Sequence, residues 1–300
     1  MSVFTAIDLS RMTQPAVVEQ LDYETILAAM RADLITRAPE LAPVLALESE
    51  PLVKLLEVAA YRELILRQRV NDAARATMLA YAQGADLDQI AARYNITRLV
   101  IHPGDATATP PVPPVYESDD DLRKRCLLAM EGLSNAGTSG AYVFHALSSD
   151  PRVLDAEATS PAPGQVVVHV LSRDGDGTAT PDLLAAVAGV VGSDEVRPLC
   201  DAVSVQSAAI KPYAVTASLT IYSGPDPVVV RQAAEAACAR YVAEHHRLGH
   251  DITLSGLYAA LHQPGVHRVT LASPTADIVC AAHEAAHCTG IAITVSGIDE

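Results

Sequence analysis

The stretch Ser49–Arg98, SEPLVKLLEVAAYRELILRQRVNDAARATMLAYAQGADLDQIAARYNITR, decides the fold of the N-terminal third of this chain. Its apolar residues recur at three- and four-residue steps, which predicts one amphipathic helix of about 33 residues from near Ser49. We expect Gly84 to end this helix and a second, shorter helix to begin at Asp86. A helix of that length spans roughly 50 Å, about three times the average globular helix. We therefore expect it to bundle with other chains.

Two apolar faces are predicted on the long helix. The face expected to be buried in the chain's own fold carries Leu52, Leu55, Leu56, Ala59, Leu66, Val70, Ala73 and Tyr81. A second face beside it carries Val58, Tyr61 and Ile65, and it widens the apolar surface beyond what one packed neighbour can cover. The candidate assembly-interface residues are Val58, Tyr61, Ile65, Leu66 and Val70. The alternative interpretation is an ordinary long core helix.

Composition excludes several classes of function. The chain has 300 residues, of which 50% are apolar and 19% charged, so a substantial core is expected. A formal net charge of −15 argues against binding to nucleic acid, which needs clustered Lys and Arg. No apolar run approaches the roughly 18 residues that a membrane span requires, and no secretion signal is recognised. Five irregularly spaced cysteines favour reduced thiols over a disulfide framework.

Four segments are predicted along the chain. They are a helical assembly region at 1–101, a Pro-rich linker at 102–116, a first α/β unit at 117–222 and a second α/β unit at 223–300. The linker sequence, HPGDATATPPVPPVY, has almost no periodic apolar face and predicts a semi-rigid, extended connection. The predicted fold class is α+β, with a long-helix N-terminal half followed by mixed helix-and-sheet C-terminal units.

The same order of cues occurs twice in the C-terminal half. SGAY at 139–142 and SGLY at 255–258 each open a predicted helix, and a proline, a strand and a Ser-Pro turn follow in both places. A duplicated helix-then-strand unit is one interpretation. Chance convergence of helix and turn chemistry is the other.

The segment ESDDDLRKR predicts the start of another helix. Ser118 can cap it, Asp119–Asp121 fill the first turn, and Arg123, Lys124 and Arg125 follow. We interpret this acid-then-base order as helix-end electrostatics and not as a binding site.

One segment, HEAAH at 283–287, has a pattern known from zinc peptidases. On a helix, His283 and His287 share a face and can bind zinc, with Glu284 as general base. The third metzincin ligand is missing, because that position is Ile293. We expect the segment to lie in a connecting loop between two strand-like runs, so a zinc metallopeptidase is only the alternative function. The leading interpretation has no catalytic residues, cofactor or metal.

Four blocks of sequence carry a resemblance to a known family. They are YRELILRQRVNDAARATMLAYAQGADLDQIAARYNITR, YESDDDLRKRCLLAMEGLSNAGTSGAYVFHA, DPRVLDAEATSPAPGQVVVHVLSRDGDG and SGLYAALHQPGVHRVTLASPTADI. In this order they resemble the J-type baseplate wedge proteins of contractile-tailed bacteriophages and phage-tail-like bacteriocins. The most specific part is G-x-x-LD-x-x-A, followed by Arg98 and then by ESD-x-x-LR-x-R.

The resemblance implies a structural protein and not an enzyme. Family members pair as two copies with a smaller wedge subunit, and the wedges form a ring around the spike hub, under the sheath, that triggers contraction. The implied partners are a second copy, the smaller baseplate wedge subunit, and neighbouring baseplate, hub and sheath proteins, with no nucleic acid and no membrane. The implied location is the baseplate of a virion or tail particle assembled in the host bacterial cytoplasm. The helical half would bundle with the smaller subunit, the α/β half would make ring and dimer contacts, and segment 102–116 would be a hinge.

Overall fold

The computed structural model describes residues 9, 12–13, 15–134, 136–224 and 226–299, so the predicted region 1–101 begins partly outside the described residues. The contacts divide the chain into two compact units. The helical unit comprises the described residues up to Arg98 together with Asp119–Arg123. The sheet unit comprises Leu99–Ser118 and the described residues from Lys124 to Asp299. None of the helices among the described residues combines the length and apolar character needed to cross a lipid bilayer.

Among its described residues, the helical unit contains four complete α-helices, a 3-10 turn at Pro39–Leu41 and the start of a fifth α-helix at Asp119. The four complete helices are α1 (Tyr23–Arg37), α2 (Ala42–Leu45), α3 (Pro51–Ala76) and α4 (Gly84–Ala92). Asp22 caps α1, since its carboxylate accepts a hydrogen bond from the Thr25 N–H at 2.8 Å. Pro51 opens α3 at a position where its missing N–H costs nothing.

The long helix is shorter than predicted. α3 has 26 residues and its N-cap is Glu50. It ends at Ala76 because the Thr77 N–H and hydroxyl both bond the Ala74 carbonyl, which replaces the i−4 bond of a continuing helix. Gly84 does not end α3 but begins α4, at a φ of 51°. The prediction of a single helix of about 33 residues is therefore wrong.

The Pro-rich segment folds back on itself. The strands β1 (Val100–His102) and β2 (Val115–Tyr116) pair antiparallel, and Asp105 and Val112 bridge between them through two backbone hydrogen bonds of 2.8 and 2.9 Å. The prediction of one extended span is wrong in this respect, because backbone pairing joins its two ends. The limits 102–116 and the hinge role stay predictions.

The first part of the sheet unit is a three-stranded sheet with two helices. Its elements, after α5 (Asp119–Leu128), are α6 (Ser139–Ser149), β3 (Val153–Ala162), β4 (Gln165–Ser172), α7 (Pro181–Val191) and β5 (Ala202–Ser207). The central strand β4 is antiparallel to β3 and parallel to β5, with α7 as the crossover. Apolar residues from α6, α7 and the sheet form one core cluster.

A second three-stranded sheet follows. Its elements are β6 (Ala209–Tyr222), α8 (Pro227–His245), α9 (Leu254–Leu261), β7 (Val266–Ser273) and β8 (Glu284–Asp299). The strand β6 is central, antiparallel to β7 and parallel to β8. Its alternate residues from Tyr213 to Ile221 pack under α8 and α9 in the largest core cluster. The predicted α+β class is confirmed.

The sheet pairing moves one predicted boundary. The predicted limit at residue 222 separates β6 from β7 and β8, to which β6 is hydrogen-bonded, so we place the boundary before Ala209.

The two sheets share some local features. The helices α6 and α9 both start after a threonine cap, Thr138 and Thr253, and both lead into a strand antiparallel to the central strand. However, β4 follows β3 in the chain whereas β6 precedes β7. Internal duplication therefore stays a prediction.

Candidate assembly surface

The inner side of α3 packs on α1. Val53 and Ala60 are fully buried, and Ala60 packs with Ile26 and Leu27 of α1. Nearer the C-terminal end of α3, the buried Asn71 side chain accepts a hydrogen bond from the Glu19 N–H at 3.0 Å and donates one to the Glu19 carbonyl at 2.9 Å. The inner side is thus held by small apolar residues and by one amide that satisfies both backbone groups of Glu19.

The outer side of α3 carries six large apolar side chains that the chain leaves exposed. Their exposed fractions are Leu55 64%, Val58 59%, Tyr61 56%, Ile65 45%, Leu66 65% and Val70 55%. All five candidate assembly-interface residues are in this set. Exposure alone does not define an interface, but it makes these side chains available to one.

Helical geometry arranges these six residues in two ridges. The Tyr61 ridge consists of Val58, Tyr61 and Ile65, and the Leu66 ridge consists of Leu55, Leu66 and Val70. At about 3.6 residues per turn, Arg62 and Arg69 project between the two ridges. The outer side therefore presents two apolar strips separated by cationic side chains, and not one continuous face.

The prediction of the buried face of α3 is confirmed for Leu56, which packs on the cluster with α1, and is wrong for three larger members of the face. Leu55, Leu66 and Val70 were expected in the chain's own core, but they are more exposed than Ile65. The reason is that α1 docks on the side that carries Ala60 and Asn71, where small and hydrogen-bonded side chains let it approach closely.

A groove runs along the Tyr61 ridge. Tyr61 and Ile65 line it together with Leu21 and Leu64, and its volume is about 450 Å³. Gln68 and Asp72 also line the groove and contribute polar groups. A groove of this kind can receive an apolar side chain from a neighbouring subunit.

The most specific part of the family-like motif builds a structural cluster. The Arg98 guanidinium donates to Asp88 at 2.8 Å and to Asp119 at 2.7 Å, and Asp119 also accepts the Gly84 N–H at 3.1 Å. Burial by itself raises the pKa of Asp119, but the Gly84 N–H and Arg98 outweigh it and lower the pKa. The motif residues thus fix α4 and the start of α5 within the helical unit, and they do not form a catalytic site.

The three cations at the start of α5 have separate structural roles, so the interpretation as helix-end electrostatics is incomplete. Arg123 donates to the carbonyls of Leu79 and Ala82, the turn that follows α3, at 2.8 and 2.9 Å. Arg125 forms a buried ion pair with Glu117. Lys124 lies 2.5 Å from Asp155 on β3. The charges of the three side chains are visible in the sequence, but no motif indicates which groups they bind.

The HEAAH segment is not a helix and not a loop. His283 directly precedes β8, and the remaining four residues lie in that strand. In a strand, residues four apart are separated by roughly 13 Å, too far for both histidines to bind one zinc ion. The expectation of a connecting loop is wrong, and so is the geometry that the metallopeptidase alternative requires.

The side chains of this segment have other partners. The Glu284 carboxylate lies 2.5 Å from the Lys211 ammonium and accepts a hydrogen bond from the Ala281 N–H at 2.7 Å. Both interactions lower the pKa of Glu284. The His283 ring contacts His169, and the His287 ring contacts His246, with ring centroids 5.4 and 5.3 Å apart. Within the described part of the chain, no three His, Cys, Asp or Glu side chains are grouped closely enough to hold a metal ion.

Comparison with known proteins gives one family along most of the chain. The profile of the Baseplate J-like N-terminal domain matches residues 48–105, that of the Baseplate J-like central domain 134–207, and that of the Baseplate J-like protein C-terminal domain 213–294. Baseplate protein J of Escherichia phage P2 is 52% identical over 299 residues, which cover 98% of this chain and 99% of that protein. A chain of the cryo-EM structure of the anti-feeding prophage baseplate, 6-fold symmetrised, matches 59% of this chain and 44% of its own length, with a TM-score of 0.43 and 16% identity.

The profiles also agree with the sheet pairing. The gap between the central and C-terminal profiles, at residues 208–212, includes the junction of β5 and β6, where the second sheet begins. The N-terminal profile contains all of α3, α4 and Arg98. With three successive profiles and 52% identity over nearly its whole length, this chain belongs to the baseplate J-like protein family.

Proposed function

We propose that this chain is a structural wedge subunit of a contractile-tail baseplate and not an enzyme. In this role it pairs with a second copy and with a smaller wedge subunit, and the wedges form the ring around the spike hub beside the sheath. The ring passes on the contraction trigger after host attachment. The observation that carries the proposal is the outer side of α3, where a baseplate J-like chain exposes two apolar ridges.

The two ridges support an assembly role because burying their apolar side chains against a partner is more favourable than leaving them in water. Monomeric soluble proteins rarely expose large contiguous apolar patches, and such patches mark interaction sites. Arg62 and Arg69 divide the surface, so a single helix packed on one ridge leaves the other uncovered. Two neighbours, a second copy and a smaller subunit, match this number of ridges.

The location follows from the same proposal. The subunit belongs to the baseplate of a virion or tail particle and assembles in the bacterial cytoplasm. All five cysteines are free, which suits a reducing compartment. Neighbouring baseplate, hub and sheath proteins complete its partners.

The test is co-expression of the chain with the smaller wedge subunit of its own tail gene cluster, followed by native mass spectrometry. We expect two copies of this chain for each smaller subunit. Ile65→Asp on the Tyr61 ridge and Val70→Asp on the Leu66 ridge place a carboxylate in an apolar contact, which costs several kcal/mol. Each variant should lose a different neighbour, so one complex lacks the smaller subunit and the other lacks the second copy.

A matched control separates assembly from folding. In the isolated chain, Ile65→Asp and Val70→Asp should keep the helix content measured by circular dichroism, because both positions are exposed. Ala60→Asp on the inner side of α3 should lose it, because Ala60 is fully buried. The proposal is wrong if both outer variants form the parental complex. It is equally wrong if they unfold the isolated chain as Ala60→Asp does.

A further inference from the structure

Among the described residues, no second strand pairs with the outer edge of β8. β8 has 16 residues and lies at one edge of the second sheet, where its other side pairs with β6. In the described residues, the only strand-like contact on the free side is the isolated bridge between Ala285 and Leu248. The backbone groups beyond that bridge form a ready template for another strand.

This edge lacks charges and prolines over most of its length. From His287 to Ile298 it contains no Lys, Arg, Asp, Glu or Pro, in a chain whose net charge is −15. Natural edge strands are commonly blunted by charges, prolines, short length or β-bulges. This run has none of the first three, and its two bulges lie outside the six residues Gly290–Val295. An uncharged run in an acidic chain is the surface on which two copies can meet with the least repulsion.

Two bulges delimit the regular part of the strand. Thr289 and Ser296 are the residues skipped in the register with β6. Each hydroxyl bonds a β6 carbonyl, Thr289 to Tyr213 at 3.0 Å and Ser296 to Leu219 at 3.2 Å. The bulges are thus fixed against β6, and six residues with unbroken register, Gly290–Val295, lie between them.

The core-facing residues of β8 are arranged symmetrically. Cys288, Ile291, Ile293, Val295 and Ile298 are in register with the buried β6 residues Tyr213, Val215, Ala217, Leu219 and Ile221. Paired residues on neighbouring strands share a face, so these five point toward the core side. The set is symmetric about Ile293 even though the bulges interrupt the two-residue alternation. An antiparallel pairing of β8 with its own copy, centred on Ile293, therefore brings every core-facing residue opposite another.

We propose that the β8 edges of two copies pair antiparallel about a twofold axis at Ile293. This joins two three-stranded sheets into one continuous sheet, with both α8 helices on the same face. The inference rests on the proposed function only in that the assembly contains two copies of the chain. The β8 edge would be a second contact between copies, separate from the α3 ridge that we propose for the second copy within one wedge.

The shape of the surface at the ends of the paired strands agrees with this register. Ile298, which is 62% exposed, lies opposite Cys288 of the second copy. Cys288 belongs to an apolar groove of about 400 Å³ between α8 and β8, which Val242 also lines. Pairing therefore covers an exposed isoleucine with an unfilled apolar groove.

The first test is a cross-link that needs one added thiol. Ile298→Cys, in a full-length chain with the exposed Cys200 changed to Ser, should form a disulfide with Cys288 of the second copy under oxidised glutathione. Residues directly opposite in an antiparallel pair have Cα atoms about 4.5–5.5 Å apart, which lies within the range that a disulfide bridges. Within one chain the two positions are roughly 30 Å apart along the strand, so the bond must join two copies. Adding Cys288→Ser is the matched control, and it should abolish the covalent dimer on a non-reducing gel.

The second test uses charge at exposed positions. Ala292 lies opposite Thr294 of the second copy, and both are exposed. The double variant Ala292→Lys/Thr294→Lys places like charges opposite each other twice, which should raise the dimer dissociation constant about tenfold or more in analytical ultracentrifugation. Ala292→Lys/Thr294→Glu places opposite charges together and should restore the parental dissociation constant.

The outcomes separate this inference from the proposed function. Both tests are made on the chain alone and on its complex with the smaller subunit. The β8 pairing is overturned if neither sample gives the disulfide, or if the Lys/Lys and Lys/Glu variants self-associate equally. In either case, the loss of neighbours by Ile65→Asp and Val70→Asp would still support the proposed function, because α3 and β8 belong to different units.

Discussion

The helix α3 and the strand β6 use similar apolar residues for different purposes. α3 has 26 residues and fully buries three of them, one of which is the polar Asn71. β6 has 14 residues, and its alternate side chains from Tyr213 to Ile221 are buried beneath α8 and α9. The apolar residues of β6 therefore stabilise the chain's own fold, whereas six large apolar residues of α3 are 45–65% exposed.

This difference teaches that an apolar pattern alone does not identify the core residues of a chain. Burying a leucine side chain is worth about 1.5–3 kcal/mol wherever the cover comes from. In β6 the cover is two helices of the same unit. On the outer side of α3 the described residues leave these side chains largely exposed, so little of that free energy is gained.

The largest effect is expected from Leu219→Ala on β6. Leu219 is fully buried in the core cluster, so the substitution removes apolar contacts and leaves a cavity. The free energy of unfolding of the isolated chain should fall by about 2–5 kcal/mol, measured by urea denaturation followed by circular dichroism. A loss below about 1 kcal/mol would mean that the β6 core does not support the sheet unit as its burial indicates.

A smaller, pH-dependent effect should also be confined to the sheet unit. Burial by itself raises the pKa of Asp155, but Lys124 at 2.5 Å and the Leu248 N–H at 3.1 Å outweigh it and hold the pKa below its usual value. The charged carboxylate therefore stabilises the fold at pH values above about 4, and this contribution is lost as the pH falls through the lower, folded pKa.

Thermal unfolding between pH 6 and pH 2 measures this contribution. The melting temperature of the parent chain should fall more steeply below about pH 4 than that of Asp155→Asn, which has no carboxylate to protonate. Identical slopes for the two chains would show that Asp155 does not contribute to acid sensitivity.

Sequence alone predicted much of the fold. The α+β class, the strands from Val153 to Leu271 and the helices between them follow from periodicity and turn chemistry, and the family resemblance followed from motif order. Periodicity failed on α3 because two stripes recur at helical steps, and it cannot tell which one α1 covers. The side that α1 covers contains Ala60 and Asn71, which a search for large apolar residues passes over.

Contacts between residues distant in sequence account for the other errors. α3 stops at Ala76 without a glycine or proline signal, and the turn that follows is held by Arg123, more than 40 residues away. The strand-like run after the HEAAH segment is predicted from the sequence, but the start of β8 at Glu284 is not, because the segment with the zinc-like pattern is predicted to be a loop.

The smallest effect on the isolated chain is expected from Leu66→Ala, which deletes the same atoms as Leu219→Ala. Leu66 is 65% exposed, so its truncation opens no cavity, and the free energy of unfolding should change by no more than about 0.5 kcal/mol. In the complex with the smaller subunit and the second copy, the same change should raise the dissociation constant about tenfold, or about 1.4 kcal/mol, measured by calorimetry. The pair of alanine variants thus compares one chemical change in two settings. If Leu66→Ala destabilised the isolated chain as much as Leu219→Ala, the Leu66 ridge would be covered within the chain, and the contrast between α3 and β6 would fail.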